Sequence, residues 1–285
     1  MTLSKSRKAM CFILTMLFSI GSILFFGTLI AKSTVLNEGY MNRIFEYSNV
    51  NEQCEKAFED RVAVLEAQST IPARVFDTVF KTNDTAASNV IGKLYSSQNP
   101  TLYSKNQIKQ FESLCKEYLE GNNMQYDSEL IHNTAIKATE AYNDCFGFNN
   151  ADTLVSYIGT LNSNSSRLIS IGMLLMAVPI IMLLVLYRRS REIMFNIFAS
   201  LTTSGMIFTV SSVLCLIFKT AQRLDISPQV YSQAFGNAVK GLCFISIIFG
   251  LLLTGITIFV NVKITKSLDS KKVITNTLVD FEKVR

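Results

Sequence analysis

The sequence predicts an all-α membrane protein: a four-helix transmembrane bundle with an all-helical extracytoplasmic domain inserted between transmembrane helices 1 and 2. Three observations lead there. Four windows, 9–31, 168–187, 193–218 and 241–262, contain no charged residue. The Lys and Arg residues nearest these windows alternate in side along the chain. Between the first two windows, apolar residues recur at helical spacing.

The windows come first. Only 17% of the 285 residues are charged and 49% are hydrophobic, against roughly 25% charged in soluble domains. The deficit is concentrated in the four windows, and a helix needs about 20 apolar residues to cross a hydrocarbon core. The first window follows the basic start MTLSKSRKAM. It is longer than the roughly 7–15 residues of a signal-peptide core and no A-x-A site follows it, so it reads as an uncleaved anchor rather than a cleaved signal.

Orientation follows from the short basic segments. Lys5, Arg7 and Lys8 precede the first window, Arg188, Arg189 and Arg191 fill the turn between the second and third, and Lys263, Lys266, Lys271, Lys272, Lys283 and Arg285 follow the fourth. These segments fall on one side of a four-span protein and are expected to be cytoplasmic anchors in a plasma membrane. The division is then a cytoplasmic N-terminus (1–8), the extracytoplasmic domain (32–167), a cytoplasmic turn (188–192), a short extracytoplasmic loop (219–240) and a basic amphipathic cytoplasmic tail (263–285). In the tail, Ile264, Leu268, Leu278 and Phe281 form a stripe suited to a membrane surface or a partner. The charge of +5 conceals a split: residues 33–165 carry −7 and the remainder +12. Basic residues confined to membrane edges fit anionic lipid and not nucleic acid.

In the inserted domain, Leu36, Tyr40, Ile44, Tyr47, Cys54, Phe58, Val62 and Leu65 keep spacings of three, four and seven. That predicts one long helix, running out of the first span and ending at Pro72. Val75, Phe76, Val79 and Phe80, then Val90, Ile91, Leu94 and Tyr95, mark two more segments. Ser104 and Gln107 read as a capping box ahead of Ile108, Phe111, Leu114, Cys115, Tyr118 and Leu119, with Gly121 at the end. Ile131, Ala135, Ala138, Tyr142 and Cys145 form the next face, closed by Gly147, and Leu154, Tyr157, Ile158 and Leu161 lead back to the second span.

Cys54, Cys115 and Cys145 lie on apolar faces of this domain, where a disulfide would persist outside the cytoplasm. If a bridge forms, Cys115 with Cys145 is the favoured pair, and buried free thiols are the alternative. Motifs for catalysis do not emerge. The only histidine, His132, sits three residues after Glu129; di-iron bundles use that spacing twice with further carboxylates, so the pair reads as helix surface. No metal or cofactor is expected, and the expectation is a non-enzymatic protein. Charge-relay transport normally buries ionisable groups, and the windows hold none.

The small residues of the third and fourth windows carry the most specific pattern. Cys243, Ser246, Gly250, Thr254, Thr257 and Asn261 project within about 80° of arc. The third window has two opposed faces, one with Asn196, Ser200, Thr203, Ser204, Ser211 and Cys215, the other with Thr202, Gly205, Thr209 and Ser212. Small-x-x-x-small spacing brings helix backbones together in lipid, which places the third helix centrally with protein on two sides. The other reading is that one stripe lines a pore or an oligomer seam. In the second window Pro179 removes a backbone donor and is expected to kink the helix.

Tetraspan families offer no assignment. Claudins need a tryptophan, and the chain has none. Connexin-like channels need cysteines in both outer loops, and 219–240 has none. Tetraspanins place the large loop between helices three and four. A helical domain between two spans is similar in outline to bacterial chemoreceptor sensor domains, but only about 23 residues follow the fourth window. The expected function is therefore an anchored module that binds a protein partner or ligand, in an accessory, sensing or scaffold role, as a hetero-complex or homo-oligomer in the bilayer. The alternative is a subunit of an oligomeric channel or transporter.

Overall fold

The computed structural model describes residues 5–69, 71–80, 86–96, 105–122, 124–125, 127–147, 151–186, 190–219 and 226–283. Among them the chain is helical, without a strand, in ten helices: α1 Lys5–Ser33, α2 Glu38–Tyr47, α3 Val50–Ser69, α4 Ala73–Val79, α5 Ala86–Tyr95, α6 Lys105–Gly121, α7 Ser128–Phe146, α8 Ala151–Leu186, α9 Ser190–Ile217 and α10 Gln229–Lys283. Four of these contain stretches long and apolar enough to cross a membrane: Ala9–Ser33, Thr153–Leu186, Ile193–Ile217 and Gln229–Lys266. The chain forms two compact units, one of Met1–Ser33, Ser163–Lys219 and Lys240–Arg285, the other of Thr34–Asn162 and Thr220–Val239. The predicted capping box at Ser104 and the basic turn at Arg188 and Arg189 lie outside the described residues, as do the side chains of Arg191 and of the tail beyond Lys266.

In the inserted unit, the single long helix expected over 36–65 is two helices separated from α1. Asn37 has extended backbone (φ −107°, ψ 116°) and its side chain accepts a hydrogen bond from the Tyr40 amide at 2.9 Å, capping α2. Asn49 then takes a left-handed conformation, φ 49°, which asparagine tolerates better than most residues. This break shifts the buried register by one. Met41, Phe45 and Val50 are buried, whereas Tyr47 is 85% exposed. Beyond the break, Cys54, Phe58, Val62 and Leu65 are buried as a regular stripe.

Pro72 starts α4 rather than only closing α3, since a proline lacks the N–H that a first turn leaves unused. Asp127 caps α7 by accepting from the Glu129 amide, and Gly147 ends it. The faces of α6 and α7 enclose an aromatic core. Phe58 meets Tyr142 and Phe80 at ring-centroid distances of 5.2 and 5.6 Å, Tyr142 stacks on Phe146 at 4.4 Å, and Phe76 meets Phe111 at 5.0 Å. Each buried ring contributes about 1.5–3 kcal/mol of burial and each such pair about 0.5–1.5 kcal/mol more.

The segment 219–240, expected to be a loop, is helical from Gln229 onward and belongs to this core. Tyr231, Ala234, Phe235 and Ala238 are buried, and Phe45 packs on Tyr231 and Phe235 at 5.7 and 5.4 Å. The spacing of those four residues is helical, and the turn of α10 that carries them closes the core over α2.

In the other unit, α8 continues through Pro179, which is buried. Gly21 of α1 lies against Gly172 of α8: a Cβ on Gly21 would sit 2.9 Å from the Gly172 carbonyl oxygen, and one on Gly172 would sit 2.8 Å from the Phe25 amide nitrogen. Only glycine permits that crossing. Cys11, Leu14, Leu183 and Ile193 form a small apolar cluster among α1, α8 and α9. Outward from these contacts the helices present large apolar side chains: Phe12, Leu174, Val185, Ile217, Leu252 and Phe259 are each 60–84% exposed.

Candidate functional site

The two small-residue faces of α9 meet different helices. On one face, Ser200 and Ser204 are buried. The Ser204 and Ser19 hydroxyls are hydrogen-bonded at 3.0 Å, and the Ser204 hydroxyl also lies 3.2 Å from the Ser19 carbonyl and 3.0 Å from that of Ser200. These contacts join α9 to α1. On the opposed face, Gly205 lies against Gly250 of α10. A Cβ on Gly205 would stand 2.8 Å from the Gly250 carbonyl oxygen, and one on Gly250 would stand 2.6 Å from that of Gly205. Thr254 flanks Gly205 and Thr209 flanks Gly250, so the crossing is reciprocal. One turn towards the start of α9, the Thr202 and Thr257 hydroxyls are hydrogen-bonded at 2.8 Å. Near the other end, the Cys215 and Cys243 thiols are hydrogen-bonded across α9 and α10.

Ser212 and Ser246 are buried, and helical spacing puts them on the same opposed faces as Gly205 and Gly250. Thr203 and Ser211 are exposed. The Ser211 hydroxyl donates to the Ile207 carbonyl and that of Thr203 to Ala199, each within its own helix. Asn196 and Asn261 are half-buried, and the Thr254 hydroxyl and the Asn261 carbonyl oxygen are enclosed without a hydrogen-bond partner. On α1, Ser19 belongs to these contacts, Gly21 to the crossing with α8, and the buried Ser22 hydroxyl donates to the Phe18 carbonyl of its own helix. The sequence marks them only as "SIGS" in the middle of an apolar run, too short to form a stripe.

In the inserted unit the chemically distinctive groups are buried. All six cysteines are free, so no bridge joins Cys115 to Cys145. Cys54 of α3, Cys115 of α6 and Cys145 of α7 are enclosed in the core of this unit. Burial pushes the Cys54 thiol up to about 12; the neighbouring Cys145 adds to the shift and a hydrogen bond with Tyr231 opposes it. Burial also pushes Cys115 to about 12, with a contribution from Glu112, and raises Cys145. Such thiols stay neutral and weakly nucleophilic. The Tyr231 hydroxyl donates to the Phe146 carbonyl at 2.6 Å, and the Tyr95 hydroxyl donates to that of Val35.

His132 pairs across to α6, its Nδ1 2.5 Å from a Glu112 oxygen, and not with Glu129 on its own helix. Arg61 and Asp144 form the other ion pair among the described residues, at 2.9 Å and largely in solvent, where such pairs contribute about 0–1 kcal/mol. No group of three or more potential metal ligands occurs among the described residues. Comparison with protein families, with curated proteins and with solved structures finds no match.

Proposed function

We propose that the chain is an integral membrane protein of the plasma membrane with both termini cytoplasmic. Its inserted helical unit faces the opposite side and binds a protein partner or ligand, and its apolar helices anchor that unit and couple it to a partner, without catalysis. The observation that carries this reading is the occupancy of α9: on one polar face Ser204 is hydrogen-bonded to Ser19 of α1, and on the other Gly205 and Thr209 lie against α10. Hydroxyls spent on helix packing do not form a water path. The inserted unit supports the same reading through its own aromatic core, which makes it a folded module and not a connecting loop. Residues of α8 and α10 belong to both units, which gives a bound partner two continuous helices through which to act.

The test is cross-linking in native lipid discs, with cross-linked residues mapped on the chain. The reading expects a second component joined to residues of 34–162. A chain that yields only internal cross-links contradicts it. A second reading, an oligomeric channel or transport subunit, draws on Thr203 and Ser211, two hydroxyl residues of α9 that are exposed. Solute or ion flux after reconstitution, altered by Ser211→Leu with assembly intact, would favour that reading.

A further inference from the structure

The contact between α9 and α10 is a ladder that continues past its glycines. The Thr202 and Thr257 hydroxyls meet at 2.8 Å. One step along, Gly205 faces Thr254; at the next, Thr209 faces Gly250, where an added Cβ would stand 2.5 Å from the Thr209 hydroxyl oxygen. The rings of Phe208 and Phe249 flank this contact at 5.7 Å. Each step advances three or four residues on α9 and retreats three or four on α10, the spacing that keeps residues on one helix face. The next step aligns the buried Ser212 and Ser246, and the last aligns Cys215 with Cys243. The two thiols are hydrogen-bonded to each other. The charge-free windows close at 218 and reopen at 241, between Lys219 and Lys240. Both cysteines therefore stand within one turn of a charged edge. Cys243 is buried, and Cys215 is half-buried.

We propose that Cys215 and Cys243 are a redox-active dithiol, converted to a disulfide between α9 and α10 by exchange with a small-molecule disulfide such as oxidised glutathione. A disulfide requires Cα atoms about 4.4–6.8 Å apart, and small residues on facing sides bring helix backbones close enough for such separations. Exchange runs in two steps. The Cys215 thiolate attacks one sulfur of the oxidant, whose sulfur–sulfur bond breaks as a bond to Cys215 forms, and one glutathione thiolate leaves. The Cys243 thiolate then attacks the Cys215 sulfur and displaces the second glutathione thiolate. The protons of the two cysteines end on the two glutathione thiols, and the two electrons the protein gives up reduce the oxidant. Cys215 acts first because it is the more accessible of the two. The remaining cysteines are placed differently: Cys54, Cys115 and Cys145 are enclosed in the core of the inserted unit, and Cys11 lies in the apolar cluster with Leu14, Leu183 and Ile193. The bridge closes a ring over residues 215–243, which includes the turn of α10 that carries Tyr231 and Phe235. The proposal rests on the α9–α10 contact and not on the partner or the sidedness proposed above.

The test uses the full chain in lipid nanodiscs, first reduced and then equilibrated in glutathione buffers of rising oxidised fraction. The remaining thiols are labelled with a maleimide under denaturing conditions, and the intact mass and the cross-linked peptides are read. The expected result is loss of two of the six labels, a peptide pair that joins Cys215 to Cys243, and full recovery of both labels on reduction with dithiothreitol. Cys243→Ser should halt the reaction after its first step, with glutathione attached to Cys215. Cys215→Ser should leave every remaining thiol open to the label. Six labels at every buffer composition overturn the proposal. A bridge that maps to any other pair of cysteines overturns it too, as does a glutathione adduct on Cys215 of the unaltered chain that fails to resolve into the internal bond. These results come from the unaltered chain alone, so they stand even if a serine variant fails to fold.

Discussion

Replacing Tyr231 with phenylalanine removes one oxygen atom and leaves the buried Phe146 carbonyl without its donor. The expected cost is about 1–3 kcal/mol, read as a lower denaturant midpoint with an unchanged slope. The thiols of the inserted unit give a second residue-scale expectation. In the unfolded chain they ionise near 9.0, while in the folded chain Cys54 and Cys115 keep the proton up to about 12. Between those values the folded state binds more protons than the unfolded state. Stability from this source is therefore complete below pH 9 and declines as pH rises towards 12, by about 1.4 kcal/mol per pH unit for each thiol. Denaturation of the full chain at several pH values from 8 to 11 should show this decline, and Cys115→Ala should make it shallower by one proton. Tyr231 also shows what the sequence hides. It stands ten residues before the charge-free window that opens at 241, so its helical spacing runs on into the membrane signal and gives no sign that its side chain belongs to another core.

At the scale of elements, the glycine crossings make the sharpest distinction. Gly250→Leu places atoms where the Gly205 carbonyl already stands, and the expected outcome is loss of folded, monodisperse protein. Ser204→Ala removes only the hydroxyl bonded to Ser19, with an expected cost below about 2 kcal/mol. Size-exclusion profiles in mild detergent compare the two; equal behaviour would mean that the crossing is not a close one.

The helices themselves differ in how much their residues reveal. In α7, Ile131, Ala135, Ala138, Tyr142 and Cys145 are all buried, as a strong period over five turns implies. In α2 and α3 the same kind of period misleads, because the seven-residue step from Tyr47 to Cys54 passes over a left-handed Asn49 and still matches a helical face. On α9 the two faces are legible as faces. Which helix each one meets depends on Ser19 and Gly250, far away in the chain, and no local pattern specifies that pairing.

At the scale of the whole molecule, the basic segments expect one sidedness. Every cysteine of the inserted unit is buried, so a cysteine introduced at exposed Asn122 reports accessibility with little background. The expectation is that Asn122→Cys is labelled by an impermeant maleimide in intact cells, and that Ser6→Cys is labelled only after the membrane is opened. Labelling of both without permeabilisation would contradict the assigned topology. The exposed apolar faces of α1, α8, α9 and α10 far exceed what a soluble monomer presents to water, in keeping with four helices long and apolar enough to cross a membrane.

The central claim is that this protein anchors a binding module and does not conduct. The most direct measurement is the mass and composition of the particle extracted with its surrounding lipid into polymer discs. The account expects a discrete complex in which a second component is present in fixed ratio to this chain and is lost when the surface of the inserted unit is altered. A particle that contains only this chain and lipid, with no bound protein or small molecule, would contradict it.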